Sequence, residues 1–337
     1  MSIKLKPLAE QAIVITGATS GHGLATARLA AAAGARVMLA ARDGEALARV
    51  SADINLTGGK AAYVTTDVSQ PDQVEHLAAE TIRRFGGFDS WVNNAGAAVY
   101  DELAAMDLAD HRRVFETNYW GVVHGSLTAL QHLKDRPGGG AIINVGSING
   151  DMPGPILGAY NASKHAVKGF TDSLRIEVLA KGQPVSVTLV KPSAIGTPFP
   201  QNARNTSGGE AALPRPLYAP EVVARAILDA AQHRRRSVTV GGIGKLQVLA
   251  ATMLPDLFDR LATTLTPVLS DPARPVGDIA GNLDQPNGAD GQTEGRQHGR
   301  RFSTFTFANR HKAAALGLAG AAIAGGLWAR RRSSSRA

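Results

Sequence analysis

There is no cysteine among the 337 residues of the chain. This excludes disulfides, a thiolate nucleophile and any cysteine-ligated metal site, and no other residue cluster proposes a metal. The first residues, MSIKLKPLAEQ, lack an apolar core, so no cleaved signal peptide is expected. Acidic residues are absent from positions 296–337, where nine Lys/Arg fall. Removing those nine from the 36 basic residues leaves 27 against 28 acidic ones, so residues 1–295 carry a net charge of −1. Aromatic residues make up only 5%. A nucleic-acid-binding body would combine a basic patch with aromatics, and this one is neutral; the basicity belongs to a tail.

A chain of this length, 44% hydrophobic and 19% charged, has the composition of an ordinary globular protein with ample core. Ala12–Thr16 (AIVIT) is a short β-branched apolar run, which predicts a buried parallel strand. It leads into GATSGHG, with Gly17, Ser20, Gly21 and Gly23, and then an Ala/Leu-rich helix. Strand, glycine turn and helix together bring backbone N–H groups onto a pyrophosphate. Arg36–Ala41 predicts the second strand, followed by Arg42 and Asp43. An acid at this place bonds a ribose 2′-hydroxyl, whereas an arginine suits a 2′-phosphate. Arg42 is the first long side chain available, which favours NADP(H) over NAD(H); the alternative gives the ribose to Asp43.

Further strands are expected at 61–65, 90–92, 141–145, 185–191 and 237–240, with helices at 71–85, 109–132 and 221–233. Strands alternating with helices imply an α/β fold, a doubly wound parallel sheet of Rossmann type over residues 1–245. Ligands then sit beyond the C-terminal ends of the strands, where Gly17–Gly23, Asn94, Ser147 and Pro192 fall.

The fifth strand delivers Ser147, and thirteen residues later come Tyr160 and, four beyond it, Lys164. On one helix the i, i+4 spacing places the last two on one face. An ammonium about 4 Å from a phenolate gains about 4 kcal/mol at an effective dielectric of about 20, enough to bring a phenol's pKa of about 10 toward neutrality. A tyrosine so tuned exchanges a proton with an alcohol or carbonyl. Tyr-x-x-x-Lys alone is a weak pattern, and of the five tyrosines only Tyr160 has the lysine.

In combination these features resemble the short-chain dehydrogenase/reductase family, in its single-domain branch, over roughly residues 8–245. The matching residues are Thr16-Gly17-x-x-x-Gly21-x-Gly23, Asp67, Asn93-Asn94-Ala95-Gly96, Asn118, Ser147 and Tyr160-x-x-x-Lys164. The resemblance implies Tyr160 as acid/base, with Lys164 lowering its pKa and binding the nicotinamide ribose. Ser147 would hold the reacting oxygen, and Asn118 would steady a water beside Lys164. Gly17, Ser20, Gly21 and Gly23 would line the pyrophosphate turn, and Asp67 and Val68 the adenine. Asn94, Ala95 and Gly96 would lie by the adenosine ribose, and Pro192 and Thr197 by the nicotinamide. It also implies an alcohol/carbonyl oxidoreductase and a homodimer or tetramer. A non-enzymatic scaffold on the same fold is the rival reading.

Two positions depart from the family pattern. His22 stands where an aliphatic residue is commoner and is expected to be a spacer, and Ser193 replaces a glycine after Pro192. Residues 148–159 and 198–220 should wall the substrate pocket; Met152, Pro155, Ile156, Leu157 and Phe199 give it an apolar character, and the second stretch reads as an irregular loop or lid. Residues 246–270 form an apolar, helix-capable extension interrupted by Pro255. Residues 271–312 have the composition of a flexible linker. An uncharged run, 313–329, follows between basic flanks that reach 332. At 1.5 Å per residue it spans about 25 Å, the short limit for a bilayer helix. It is a candidate membrane anchor on a cytoplasmic enzyme, or else a marginal amphipathic or disordered tail.

Overall fold

The computed structural model describes residues 3–288 and 291–310. Seven strands form one parallel sheet: β1 (Ala12–Thr16), β2 (Arg36–Ala41), β3 (Lys60–Thr65), β4 (Ser90–Asn93), β5 (Gly140–Val145), β6 (Val185–Pro192) and β7 (Ser237–Val240), ordered β3-β2-β1-β4-β5-β6-β7. Alternate side chains on each strand point to opposite faces. Ile13, Ile15, Val37 and Leu39 enter one buried cluster, against helices α1 (Gly21–Ala32), α2 (Gly44–Leu56) and α7 (Pro220–Gln232). Ala12, Val14, Met38 and Ala40 enter the other, against α3 (Pro71–Phe85), α5 (Gly121–Leu133) and α6 (Gly158–Ala180). Burial on both faces explains why the strands read as continuous apolar runs rather than alternating ones.

The continuous helix expected over 109–132 is instead α4 (Leu108–Phe115), a π-helical turn (Glu116–Trp120) and α5. The wide turn falls at Asn118, and such single turns concentrate at functional positions. The apolar extension forms α8 (Gly242–Met253) and α9 (Pro255–Ala262), with Pro255 opening the second helix. Proline suits that first helical position, where its missing N–H would have no partner.

Two segments expected to be loose are tied to the domain. In the 198–220 loop, Arg204–Asn205 pairs with Val99–Tyr100, and Gly209–Ala211 pairs antiparallel with Ser270–Pro275. Residues 276–288 and 291–300, with a linker's composition, lie against the mouth of the sheet through backbone hydrogen bonds such as Ile279–Asn205 and Gly295–Gly196. Tertiary partners supply the order that the local sequence does not. The last described helix, α10 (Thr304–Arg310), packs Phe305 against Gly242 and accepts a hydrogen bond from Gly241 N–H on Thr306 Oγ1. No helix among the described residues is long and apolar enough to cross a membrane. The candidate anchor at 313–329 lies outside the described residues.

Candidate active site

A cavity of about 270 Å³ opens along the C-terminal edge of the sheet. Gly17, Ser20, Gly21, Arg42, Asp67, Val68, Asn94, Ala95, Gly96, Ser147, Tyr160, Lys164, Pro192 and Thr197 all line it. Gly23 and Asn118 support the wall from behind.

The glycine turn is held from the end of β1. Thr16 Oγ1 accepts hydrogen bonds from the N–H groups of Asn94 (2.9 Å) and Ala95 (3.1 Å). Asn94 Nδ2 donates to the carbonyls of Thr16 (2.9 Å) and Gly17 (3.2 Å). Gly17 has φ +64°, a left-handed conformation that glycine adopts without strain. At Gly23 a Cβ would lie 2.1 Å from the Gly17 carbonyl oxygen and 2.4 Å from Asn94 Nδ2, so only glycine fits. Ser20 occupies the N-cap of α1, yet its side chain makes no capping bond.

His22 is more than a spacer. Its Nδ1 lies 2.6 Å from Asn94 Oδ1, an acceptor, so Nδ1 carries the proton and donates. Burial, opposed by this bond and aided by the nearby Lys164 charge, pushes its pKa down to about 4. A neutral imidazole therefore braces Asn94, which braces the turn. The signal in sequence was the histidine itself, at a position where the resemblance expects an aliphatic side chain.

Asp67 follows β3. Burial pushes its carboxyl up, but hydrogen bonds from Arg113 (2.8 Å) and from Ser69, together with the Arg113 charge, outweigh this and hold it below the usual range. Arg113, on α4, also donates to Ser69 Oγ and to the Leu283 carbonyl. Sequence reasoning missed it because a charged helical residue carries no mark of what it faces.

At the other end, Ser147 ends the turn after β5 and caps a short 3₁₀ helix, accepting from Asn149 N–H at 3.1 Å. Tyr160 and Lys164 lie on α6, and the Ser147 hydroxyl lies close enough to Tyr160 to act on its pKa. Lys164 Nζ stands 5.6 Å from the centre of the Tyr160 ring and donates to the Val145 carbonyl at 3.0 Å. The pKa expectation is corrected here. Burial pushes the Tyr160 phenol above its ordinary value, and the neighbouring Ser147 hydroxyl lowers it only in part. Burial also pulls Lys164 down to about 8. Removal from water outweighs attraction at this spacing.

Asn118 is fully buried. Its Nδ2 donates to the Ala97 carbonyl and Ser163 Oγ, each at 2.9 Å, and its Oδ1 accepts from Ala97 N–H at 2.8 Å. Its side-chain amide thus fixes the strand that follows Gly96 and ties it to α6. Ser193 Oγ is buried without a hydrogen-bond partner among the described residues, packed where a Cβ on Gly241 would lie 2.1 Å away.

Beyond Tyr160 the wall is mostly apolar, with Ile148, Met152, Leu157, Phe199, Leu265 and Leu269. Arg204 is paired with Asp110 and Asp284 rather than turned to a substrate. Arg215 reaches the cavity lining.

This arrangement has counterparts among known proteins. A family model described as short chain dehydrogenase matches residues 11–208. An uncharacterized oxidoreductase, YxnA, from Bacillus subtilis is 42% identical over 260 residues, covering 77% of this chain and 73% of that protein. A crystal structure of a short-chain dehydrogenase/reductase from Burkholderia phymatum in complex with NAD superposes with a TM-score of 0.68 at 27% identity, over 75% of this chain and 96% of the other. An alcohol dehydrogenase from Thermococcus sibiricus complexed with 5-hydroxy-NADP gives 0.59 at 26% identity, over 68% and 95%.

Proposed function

The chain belongs to the short-chain dehydrogenase/reductase family and is an NAD(P)-dependent enzyme of it; on that premise we propose that it interconverts an apolar alcohol and its carbonyl, preferring NADP(H). The observation that carries this reading is the single cavity that joins the glycine turn at one end to Ser147, Tyr160 and Lys164 at the other. A dinucleotide fits it chemically: Gly17 and Gly23 are positions where a Cβ would collide, so backbone is presented at close range. The cofactor, when bound, supplies or takes up the hydride.

The chain's own residues handle the proton. In the reducing direction Tyr160 is protonated at neutral pH, as its raised pKa requires, and gives its phenolic proton to the carbonyl oxygen. Ser147, which lines the same cavity beside Tyr160, holds that oxygen. Lys164 adds positive charge beside the phenolate that results. The apolar wall excludes water and selects an apolar substrate. A Tyr160→Phe variant should lose at least about a hundredfold in turnover while still binding NADPH; full turnover would overturn the reading.

Arg42, at the end of β2, supports the preference for NADP(H), as do Ala40 and Ala41 before it, which offer no acid for a ribose. One of the two solved relatives is complexed with NAD and the other with an NADP derivative. Arg42→Ala should erase a preference for NADPH over NADH in a cofactor-oxidation assay.

The assembly and the tail belong to the same proposal. Trp120, Leu127, Ile176 and Leu179 are exposed on the Asn118 and Tyr160 helices, supporting a homodimer or tetramer through them, to be measured by light scattering. Leu246, Leu249, Met253, Leu254, Leu257 and Leu261, on or beside α8 and α9, are each more than half exposed. Together with the uncharged run 313–329 they support attachment of a cytoplasmic enzyme to a membrane surface. Full-length protein should sediment with membranes and a chain ending at 295 should not; soluble full-length protein would end that part of the proposal.

A further inference from the structure

Two pieces of the C-terminal segment lie across the cavity. Asn282, Pro286 and Asn287 line it alongside Ser20, Arg42 and Asp67. The first piece is anchored by Leu283, which is 1% exposed and packs among Ala97, Val99, Met106, Val114 and Ala159. Asn282 N–H donates to the Asn202 carbonyl at 2.7 Å. Arg42 Nη1 donates to the carbonyls of Leu283 and Asp284, each at 3.0 Å, and Nη2 donates to that of Asn282. At the second piece, Gly291 N–H donates to the Thr19 carbonyl (2.7 Å), Gly21 N–H to the Gln292 carbonyl (2.9 Å) and Gly295 N–H to the Gly196 carbonyl (3.0 Å).

We propose that residues 282–287 and 291–295 are part of the dinucleotide site, roofing its adenosine half and fixing the orientation of Arg42. The inference rests on the assignment of the Gly17–Gly23 turn and Arg42 to the cofactor. Thr19, Gly21 and Arg42 all line the cavity, so these contacts are made to the site itself and not to a remote surface. A segment of this composition does not order on its own; it is ordered by the groups that would surround a cofactor. The carbonyls that hold Arg42 are neutral. They orient its planar guanidinium at the adenosine end of the cavity. The roof also touches the nicotinamide side: a Cβ on Gly295 would lie 2.4 Å from the Thr197 carbonyl oxygen. One segment thus connects both ends of the cofactor groove, and a bound dinucleotide is covered between it and the glycine turn.

The test is binding, which needs no turnover. NADPH is titrated by its fluorescence into the full-length protein, and its dissociation rate is measured by displacement. Leu283→Ala, which removes the apolar anchor, should weaken NADPH binding and speed its release by about tenfold or more. Gly295→Val should act in the same direction from the other end. Affinity and release within twofold of the parent for both variants would overturn the proposal. In the unaltered protein, saturating NADPH should slow amide exchange in the peptide 276–287 at least severalfold; unchanged exchange would equally overturn it. Failure of the functional reading looks different: full turnover by Tyr160→Phe would remove the proposed chemistry, and equal affinity for NADH and NADPH would remove the preference, while the Leu283 effect on binding persisted in either case.

Discussion

Lys164 donates to the carbonyl of Val145 at 3.0 Å, although its ammonium stands only 5.6 Å from the centre of the Tyr160 ring. The lysine is held by the end of β5, and the Ser147 hydroxyl lies beside the tyrosine. The two side chains share a wall without forming the close pair that i, i+4 spacing permits. Their charges become coupled most strongly when Tyr160 has given up its proton, which is the moment when that coupling assists the reaction.

This has a consequence for stability. Lys164 is pushed down to about 8 by burial, against about 10.4 for an unperturbed lysine. Below pH 8 it is charged in both folded and unfolded chains, and the folded state bears the full desolvation cost. Between pH 8 and about 10.4 the unfolded chain binds more protons, so the cost is relieved as pH rises. Relative to a Lys164→Met variant, the parent should gain about 2–3 kcal/mol between pH 8 and 10. Urea melts of both proteins at several pH values measure it; a constant difference would refute it.

His22 predicts a dependence of the same sign in a more acidic window. Its pKa is about 4 in the folded protein and about 6.5 when unperturbed. The neutral form that braces Asn94 contributes fully above pH 6.5, and the contribution is lost as pH falls toward 4. By pH 5 the parent should have lost about 2 kcal/mol that a His22→Leu variant does not lose. At pH 7 the variant should itself be less stable by about 1–3 kcal/mol, because Asn94 Oδ1 loses its donor. Denaturant melts at pH 7 and pH 5 separate the two effects, and equal acid sensitivity in both proteins would exclude His22 as their source.

Much of this site could be read from the sequence because it is locally encoded. The run AIVIT followed by three glycines has one plausible geometry, and Ser147, Tyr160 and Lys164 fall where a strand and a helix bring them together. The sign of the Tyr160 shift was not legible, since burial depends on Phe199, Leu265 and other residues brought in by the distant loop and extension. Nor was the π-helical turn at Asn118, where the helical pattern runs on unbroken. The cover over Arg42 was hidden most completely. Its Gly, Pro, Asp and Asn residues are those of a linker, and only the burial of Leu283, a tertiary fact, sets it apart.

Gly23 gives the sharpest steric prediction. A methyl group there meets the Gly17 carbonyl at 2.1 Å and the Asn94 amide at 2.4 Å, and neither can retreat without breaking the bonds that hold the turn. Gly23→Ala should therefore lower dinucleotide affinity by at least about a hundredfold and destabilise the fold by about 1–3 kcal/mol, the usual cost of overpacking. Calorimetric titration and thermal melts report the two quantities. Parent-like affinity would mean that the turn does not contact the cofactor.

Tyr100 offers a change in the other direction. Its side chain is fully buried beneath the substrate wall, beside Tyr160, and its hydroxyl has no hydrogen-bond partner among the described residues. Burial, with the neighbouring Tyr160, pushes its pKa well above the ordinary value, so the group stays neutral. A buried hydroxyl without a partner costs about 1–3 kcal/mol. Replacing it with phenylalanine keeps the ring packed against Ile156 and Leu157 and removes that cost. Tyr100→Phe should raise stability by about 1 kcal/mol and leave NADPH affinity unaltered, since Tyr100 does not line the cavity. If the hydroxyl instead positions the substrate oxygen through Tyr160, the variant would show a reduced kcat at an unaltered cofactor affinity. A thermal melt alongside steady-state kinetics on the same preparation decides between these outcomes, and a gain in stability with full turnover is the result the geometry predicts.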